Sequence, residues 1–369
     1  MKKSLIFLFT LCLFCFLTLP SFANESADID LEKMRELIPK EALEKLPDDL
    51  FSGTVNTSTF SFSYFISLLR DILSSLGADF TTSLSSTVSL VIIASLFHFL
   101  AQTQKGGLCE SFSGISSLCI SIYVFTSISL LFKSVRTYLA TISSFSNAMT
   151  PFITIAYTLG GNVSSTAVST TGLMLCITFI ESINAYMLYP ILKISSILTI
   201  ATATSPKLRI GSLSKFIRGF LLLAIGLTVA AISAIMTFQH TLSSAADSLT
   251  ARTVRFAASN FIPIVGSAIS DAVRTVGSSV SYIRTTVGGV GIAVIVVLTL
   301  PVFLSLMLSR INLAISASLA DMLMCEREKN ALKEAGGLVN FLIALVSLTA
   351  VMFVYYLTLL IRCTSAFGG

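Results

Sequence analysis

The run Val287–Leu308 contains no charged residue, and neither does Phe220–Phe238 nor Leu338–Ile361. Each matches the roughly 20 apolar residues that a helix needs to cross a bilayer core about 30 Å thick. Lipid offers no partner to a backbone N–H or C=O, so such runs must fold as helices. Composition agrees: 54% of the 369 residues are hydrophobic and 12% are charged, against about 25% charged in a soluble domain. The expected fold class is all-α, a polytopic membrane helical bundle of about six to eight spans. The lipid bilayer is its first partner. The net charge of +5 is not gathered on one face, so nucleic acid is not an expected partner.

The N-terminus reads as a secretory signal over residues 1–23. Lys2 and Lys3 precede the apolar stretch Leu5–Leu17, and Pro20-Ser21-Phe22-Ala23 supplies a small-residue cleavage site. An uncleaved anchor helix is the alternative. Cys12 and Cys15 lie inside this apolar run, where thiol chemistry has no polar setting. Residues 24–82 read as an exported segment, acidic and then amphipathic. Asn24 to Leu50 carries nine acidic residues against four basic ones, with short amphipathic helices broken by Pro39 and Pro47. Phe62–Phe80 is an interfacial helix bearing Arg70, Asp71 and Asp79.

Residues 83–239 hold Ser/Gly-rich membrane spans. Leu84–Ala101, with His98, and Gly114–Phe132 are the first two. Three further stretches, Tyr138–Leu159, Thr166–Leu188 and Pro190–Ala203, are punctuated by Pro151, Gly172 and Pro190. Small residues there favour close helix packing, and the punctuation predicts broken helices around a cavity or groove. Pro206–Arg218 carries Lys207, Arg209, Lys215 and Arg218 with no acid, which places it in the cytoplasm. An exported N-terminus then requires residues 138–205 to cross three times. Glu181 interrupts an apolar run and is a candidate buried carboxylate. A helix–helix turn near Glu181–Asn184 is the competing reading.

Residues 240–286 form a polar island between apolar runs, and residues 287–369 hold the C-terminal spans. Leu242, Leu249 and Phe256 repeat every seven residues, with Asp247 and Arg255 toward the opposite side. Pro263 ends one amphipathic helix and opens a second. Asp271 and Arg274 sit one turn apart and pair for about 0.3 kcal/mol. The island is thus an amphipathic helical hairpin hinged at Asn260–Pro263. It either lies on the membrane against its own spans or offers a docking surface on the outer face. Candidate interaction residues are Arg252, Arg255, Asn260, Pro263, Gly266 and Asp271.

Catalytic motifs are missing. There is no GxxxxGK[ST], no GxSxG, and the two histidines make neither HExxH nor a His-rich zinc site. No catalytic residue, cofactor or metal is expected, and the chain is not read as an enzyme.

The block Leu249-Thr250-Ala251-Arg252-Thr253-Val254-Arg255-Phe256, continuing through Asn260–Gly266 to Asp271-Ala272-Val273, resembles the stage III sporulation protein AE family of endospore-forming bacteria. The order of signal, acidic exported segment, Ser/Gly-rich spans and final span is similar too. The resemblance implies a multi-pass protein of the mother-cell membrane around the forespore. It implies a subunit of a channel-like secretion complex needed for forespore development after engulfment. Implied partners are other stage III A-group membrane proteins, a secretion-type ATPase, ring proteins of the intermembrane space, and a YidC-type insertase for assembly. The rival reading is a stand-alone multi-pass solute transporter, which predicts inverted repeats. None is visible in the sequence.

Overall fold

The structure is a computed structural model that describes residues 35–36, 38–46, 62–103, 108–159, 162–204, 211–261 and 266–362. A short helix, α1 (Lys40–Leu43), precedes the bundle. Then follow α2 (Phe62–Thr103), α3 (Leu108–Thr158), α4 (Val163–Ser182), a π-helical turn (Ile183–Met187) and α5 (Leu188–Thr204). The last three are α6 (Gly211–Phe261), α7 (Gly266–Met322) and α8 (Glu326–Arg362). Six helical paths among the described residues are long and apolar enough to cross a membrane, with α4 and α5 forming one of them. The chain is an all-helical, multi-pass membrane protein.

Two expectations are corrected. Residues 138–205 do not cross three times: α3 runs unbroken from Leu108 through Pro151 to Thr158. The path from Val163 to Thr204 then returns as one helix interrupted only by the π turn. Proline and glycine did not break these helices because neighbouring helices and wider turns accommodate them inside a bundle. The π turn does this for Pro190. Leu188 N–H donates to Ile183 O, so the helix is already widened where the proline ring would meet a carbonyl.

The helices also outrun the membrane. At 1.5 Å per residue, the 51 residues of α3 and of α6 extend roughly 76 Å, more than twice the apolar core. The segments expected as separate amphipathic pieces are extensions of the spanning helices. Phe62–Phe80 continues into α2, and the two arms of the polar island belong to α6 and α7.

The centre of the bundle is the α7–α8 hairpin. Of the most apolar windows of these helices, 67% and 72% are buried, against 17% for α2 and α6. The hairpin packs closely because Gly288 faces Ile361, where an added Cβ would lie 2.5 Å from Ile361 Cγ1. Interhelical hydrogen bonds fix the register. Thr87 Oγ1 donates to Asn312 Oδ1 at 2.8 Å, and Asn312 Nδ2 donates to Ser83 Oγ at 2.8 Å, tying α2 to α7. Tyr138 and Thr299 hydroxyls meet at 3.0 Å between α3 and α7.

A sharp turn closes one end, and a strap packs on the bundle. At the α7 C-terminus, Cys325 N–H donates to Ala320 O at 2.9 Å and Met324 N–H to Asp321 O at 3.2 Å. This is a Schellman motif with Met324 in the left-handed region at φ 58°. The N-terminal strap, residues 38–46, lies against the bundle with Ile38, Ala42 and Leu46 buried. Tyr64 of α2 donates its hydroxyl to Lys45 O, and burial raises the Tyr64 pKa.

Candidate functional site

Polar side chains gather at the two ends of the bundle. At the end where α3 stops and α4 begins, Asp247 of α6 reaches across to α4. Its Oδ1 accepts the Ser164 amide at 3.0 Å and its Oδ2 the Ser165 amide at 2.9 Å. These are among the first amides of α4, which have no carbonyl partner within their own helix. Asn162 holds the N-cap position but makes no side-chain cap, and the first turn carries no acid. A carboxylate from another helix therefore supplies both the hydrogen bonds and the negative charge that a helix N-terminus favours. One turn earlier on α6, Ser243 Oγ lies 3.4 Å from Ser165 Oγ, and two turns earlier His240 Nε2 lies 2.7 Å from Tyr157 Oη of α3. Tyr356 of α8 donates to Ser169 O at 3.0 Å.

This arrangement turns α6 inside out. His240, Ser243 and Asp247 are buried, while Leu242, Leu249 and Phe256 are 56%, 63% and 72% exposed. The polar side of the amphipathic arm faces the bundle, and its apolar stripe faces outward. The stripe continues the outward apolar surface of Phe216, Phe220, Leu223 and Leu227 on the same helix. A helix that buries polar groups and exposes apolar ones is built for lipid or a protein partner rather than for water.

At the opposite end, Arg218 of α6 donates to Glu334 of α8 through Nη2 at 2.7 Å. Both side chains are buried, and Arg218 Nη1 has no partner. Lys215 Nζ lies 3.8 Å from the other carboxylate oxygen. Gly337 lets the guanidinium lie flat on α8: a Cβ there would sit 2.7 Å from Arg218 Nη2. Arg310 Nε donates to Asn340 Oδ1 at 3.0 Å nearby. Glu328 accepts from Ser116 at 3.0 Å. Burial first, and the Glu328 charge second, push the Cys325 thiol up to about 11.

The expected interaction residues fall on the long arms. Arg252 lies exposed on α6. Arg255 and Asn260 are in α6, Gly266 opens α7 and Asp271 follows in it, but the side chains of Arg255, Asn260 and Asp271 lie outside the described residues. Pro263 lies outside them altogether. Glu181 is exposed on α4, and its Oε1 accepts from the buried Ser143 Oγ of α3 at 2.8 Å. There is no turn at Asn184, because the π turn carries the helix through. The residues that do bind helices together, Asp247, His240, Arg218 and Glu334, were not singled out as sites. The signal for Asp247 was present: an acid within an arm and an upstream helix start with no acid of its own.

Compared with known proteins, residues 45–364 match the family model described as stage III sporulation protein AE. The chain belongs to the stage III sporulation protein AE family. The matched range contains both polar ends of the bundle, Glu181 and the whole of the two arms. A curated relative, the stage III sporulation protein AE of Bacillus subtilis (strain 168), is 23% identical over 235 residues, 64% of this chain and 57% of that protein. The alignment thus spans little more than half the length of that relative. No solved structure matches the chain.

Proposed function

We propose that this member of the family is a non-catalytic membrane scaffold or permease-like subunit of a sporulation-specific secretion or channel complex. In this reading it sits in the mother-cell membrane around the forespore, links the two cells, and is needed for forespore development after engulfment. The observation that carries the reading is the family match over residues 45–364. The basic residues Lys207, Arg209, Lys215 and Arg218 favour the cytoplasm for their end of the bundle. The acidic N-terminal segment and the tips of the α6 and α7 arms then face the other side.

Its partners are other stage III A-group membrane proteins, a secretion-type ATPase and ring proteins of the intermembrane space, with a YidC-type insertase for assembly. The arms of α6 and α7 are the proposed docking element. Arg252, Arg255, Asn260, Pro263, Gly266 and Asp271 lie along or between them, and the outward apolar stripe of Leu242, Leu249 and Phe256 supports a contact surface there. The test is site-specific photocrosslinking from residues 240–284 in sporulating cells, followed by identification of the captured proteins. Capture of sporulation membrane or ring proteins supports the reading. Crosslinks only to lipid and to the chain itself would remove the docking role.

A further inference from the structure

We propose that the cavity between the N-terminal strap and α3 binds the singly charged phosphodiester headgroup of an anionic membrane phospholipid. The cavity measures about 940 Å3 and opens between Glu36, Ile38 and Pro39 of the strap, the middle of α3, and Asn184 in the π turn. Lys133 and Arg136 enter it from α3, one turn apart. Both are exposed, and neither forms an ion pair among the described residues.

The wall between them and the far end is polar but unsatisfied. Thr137, Thr141 and Ser144 line the cavity on one helix face, and no hydrogen bond joins their hydroxyls to another described residue. Further along the same helix the hydroxyls are used differently. Thr150, Thr154 and Thr158 each bond back to the carbonyl four residues earlier, as helical Ser and Thr commonly do. Asn184 also leaves a hydrogen-bonding atom idle. Its Nδ2 donates to Arg136 O at 3.4 Å, but its buried Oδ1 has no partner. Phosphate oxygens accept from the hydroxyls and cations; a headgroup hydroxyl or a water donates to Asn184.

Charge selects the class of anion. Two cations and the single carboxylate of Glu36 leave the cavity one positive charge, which complements a monoanionic phosphodiester better than dianionic free phosphate. The apolar surroundings select a lipid. Leu130, one turn before Lys133, is 65% exposed, and Val297, Leu298 and Pro301 of α7 lie on the other side of Lys133. Acyl chains can lie on that outward apolar surface while the headgroup enters the cavity, with Ile38 and Phe145 buried beside it.

The test uses the purified full chain in a neutral detergent, titrated with phosphatidylglycerol, with phosphatidylcholine of the same acyl chains, and with inorganic phosphate. Binding is read by native mass spectrometry and by the shift in unfolding temperature. Phosphatidylglycerol should bind and raise the unfolding temperature. Lys133→Gln and Arg136→Gln should each weaken that binding about five-fold. Ala140→Leu, which narrows the cavity between the two cations and Ser144 and leaves both cations in place, should weaken it too. The exposed positions make these variants tolerable to the fold. Equal binding of phosphatidylcholine, an equal shift with inorganic phosphate alone, or unchanged phosphatidylglycerol binding in the double variant K133Q/R136Q would each overturn the proposal.

Discussion

Arg218 and Glu334 form a buried ion pair across α6 and α8, 2.7 Å between Nη2 and Oε2. It is the inner fastening of a helix whose outer half presents its apolar stripe away from the bundle. Removing one partner strands a buried charge, and such losses cost about 3–5 kcal/mol. Glu334→Gln and Arg218→Met should therefore each lower the unfolding temperature in detergent. The double change Arg218→Met/Glu334→Leu should recover most of the loss, because it leaves no uncompensated charge. A double variant as unstable as the sum of the singles would contradict the pairing.

Asp247 is the outer fastening. It accepts two amides of α4, so Asp247→Ala should destabilise the protein by about 1–2 kcal/mol. Asp247→Asn keeps one acceptor oxygen and should fall between the two. Thermal unfolding of the three proteins side by side gives the order. Equal stability of all three would remove the trans-capping role.

These fastenings explain what was legible in the sequence and what was not. The uncharged runs within α6, α7 and α8 announced spanning helices without reference to partners. The seven-residue repeat of Leu242, Leu249 and Phe256 announced a helical arm. Its orientation was not legible, because polarity ordinarily points outward and here the polar side is claimed by α4. Pro151 and Pro190 read as breaks, but whether a proline ends a helix depends on packing that local sequence does not encode. Asp247 and its partners at Ser164 and Ser165 are far apart in the chain, and only the fold brings them together. Glu181 followed the rule that an acid in an apolar run is buried. It is exposed and reaches across to the buried Ser143 of α3 instead.

The turn between α7 and α8 holds Met324 at φ 58°, a conformation that glycine adopts without strain. Met324→Gly should raise stability by about 1 kcal/mol. A decrease of that size would mean that the Met324 side chain makes contacts which outweigh the backbone strain.

Next to it, Cys325 is buried and its thiol is pushed up to about 11 by burial and by Glu328. The reactive thiolate is therefore scarce near neutral pH. Maleimide labelling at Cys325 should be slow at pH 7 and should accelerate as pH rises toward that value. Glu328→Gln should increase the rate at fixed pH. Peptide mapping of labelled protein measures both, and fast labelling at pH 7 would contradict the buried placement.

The arms of α6 and α7 are the proposed docking element through which the chain works in sporulation. The most direct measurement is spore yield from a host whose own copy carries Arg252→Ala and Arg255→Ala, with the amount of protein in the membrane measured in the same cells. The account predicts a normal membrane level, completed engulfment and a block in forespore development thereafter. Normal spore yield from cells holding the doubly substituted protein would contradict it.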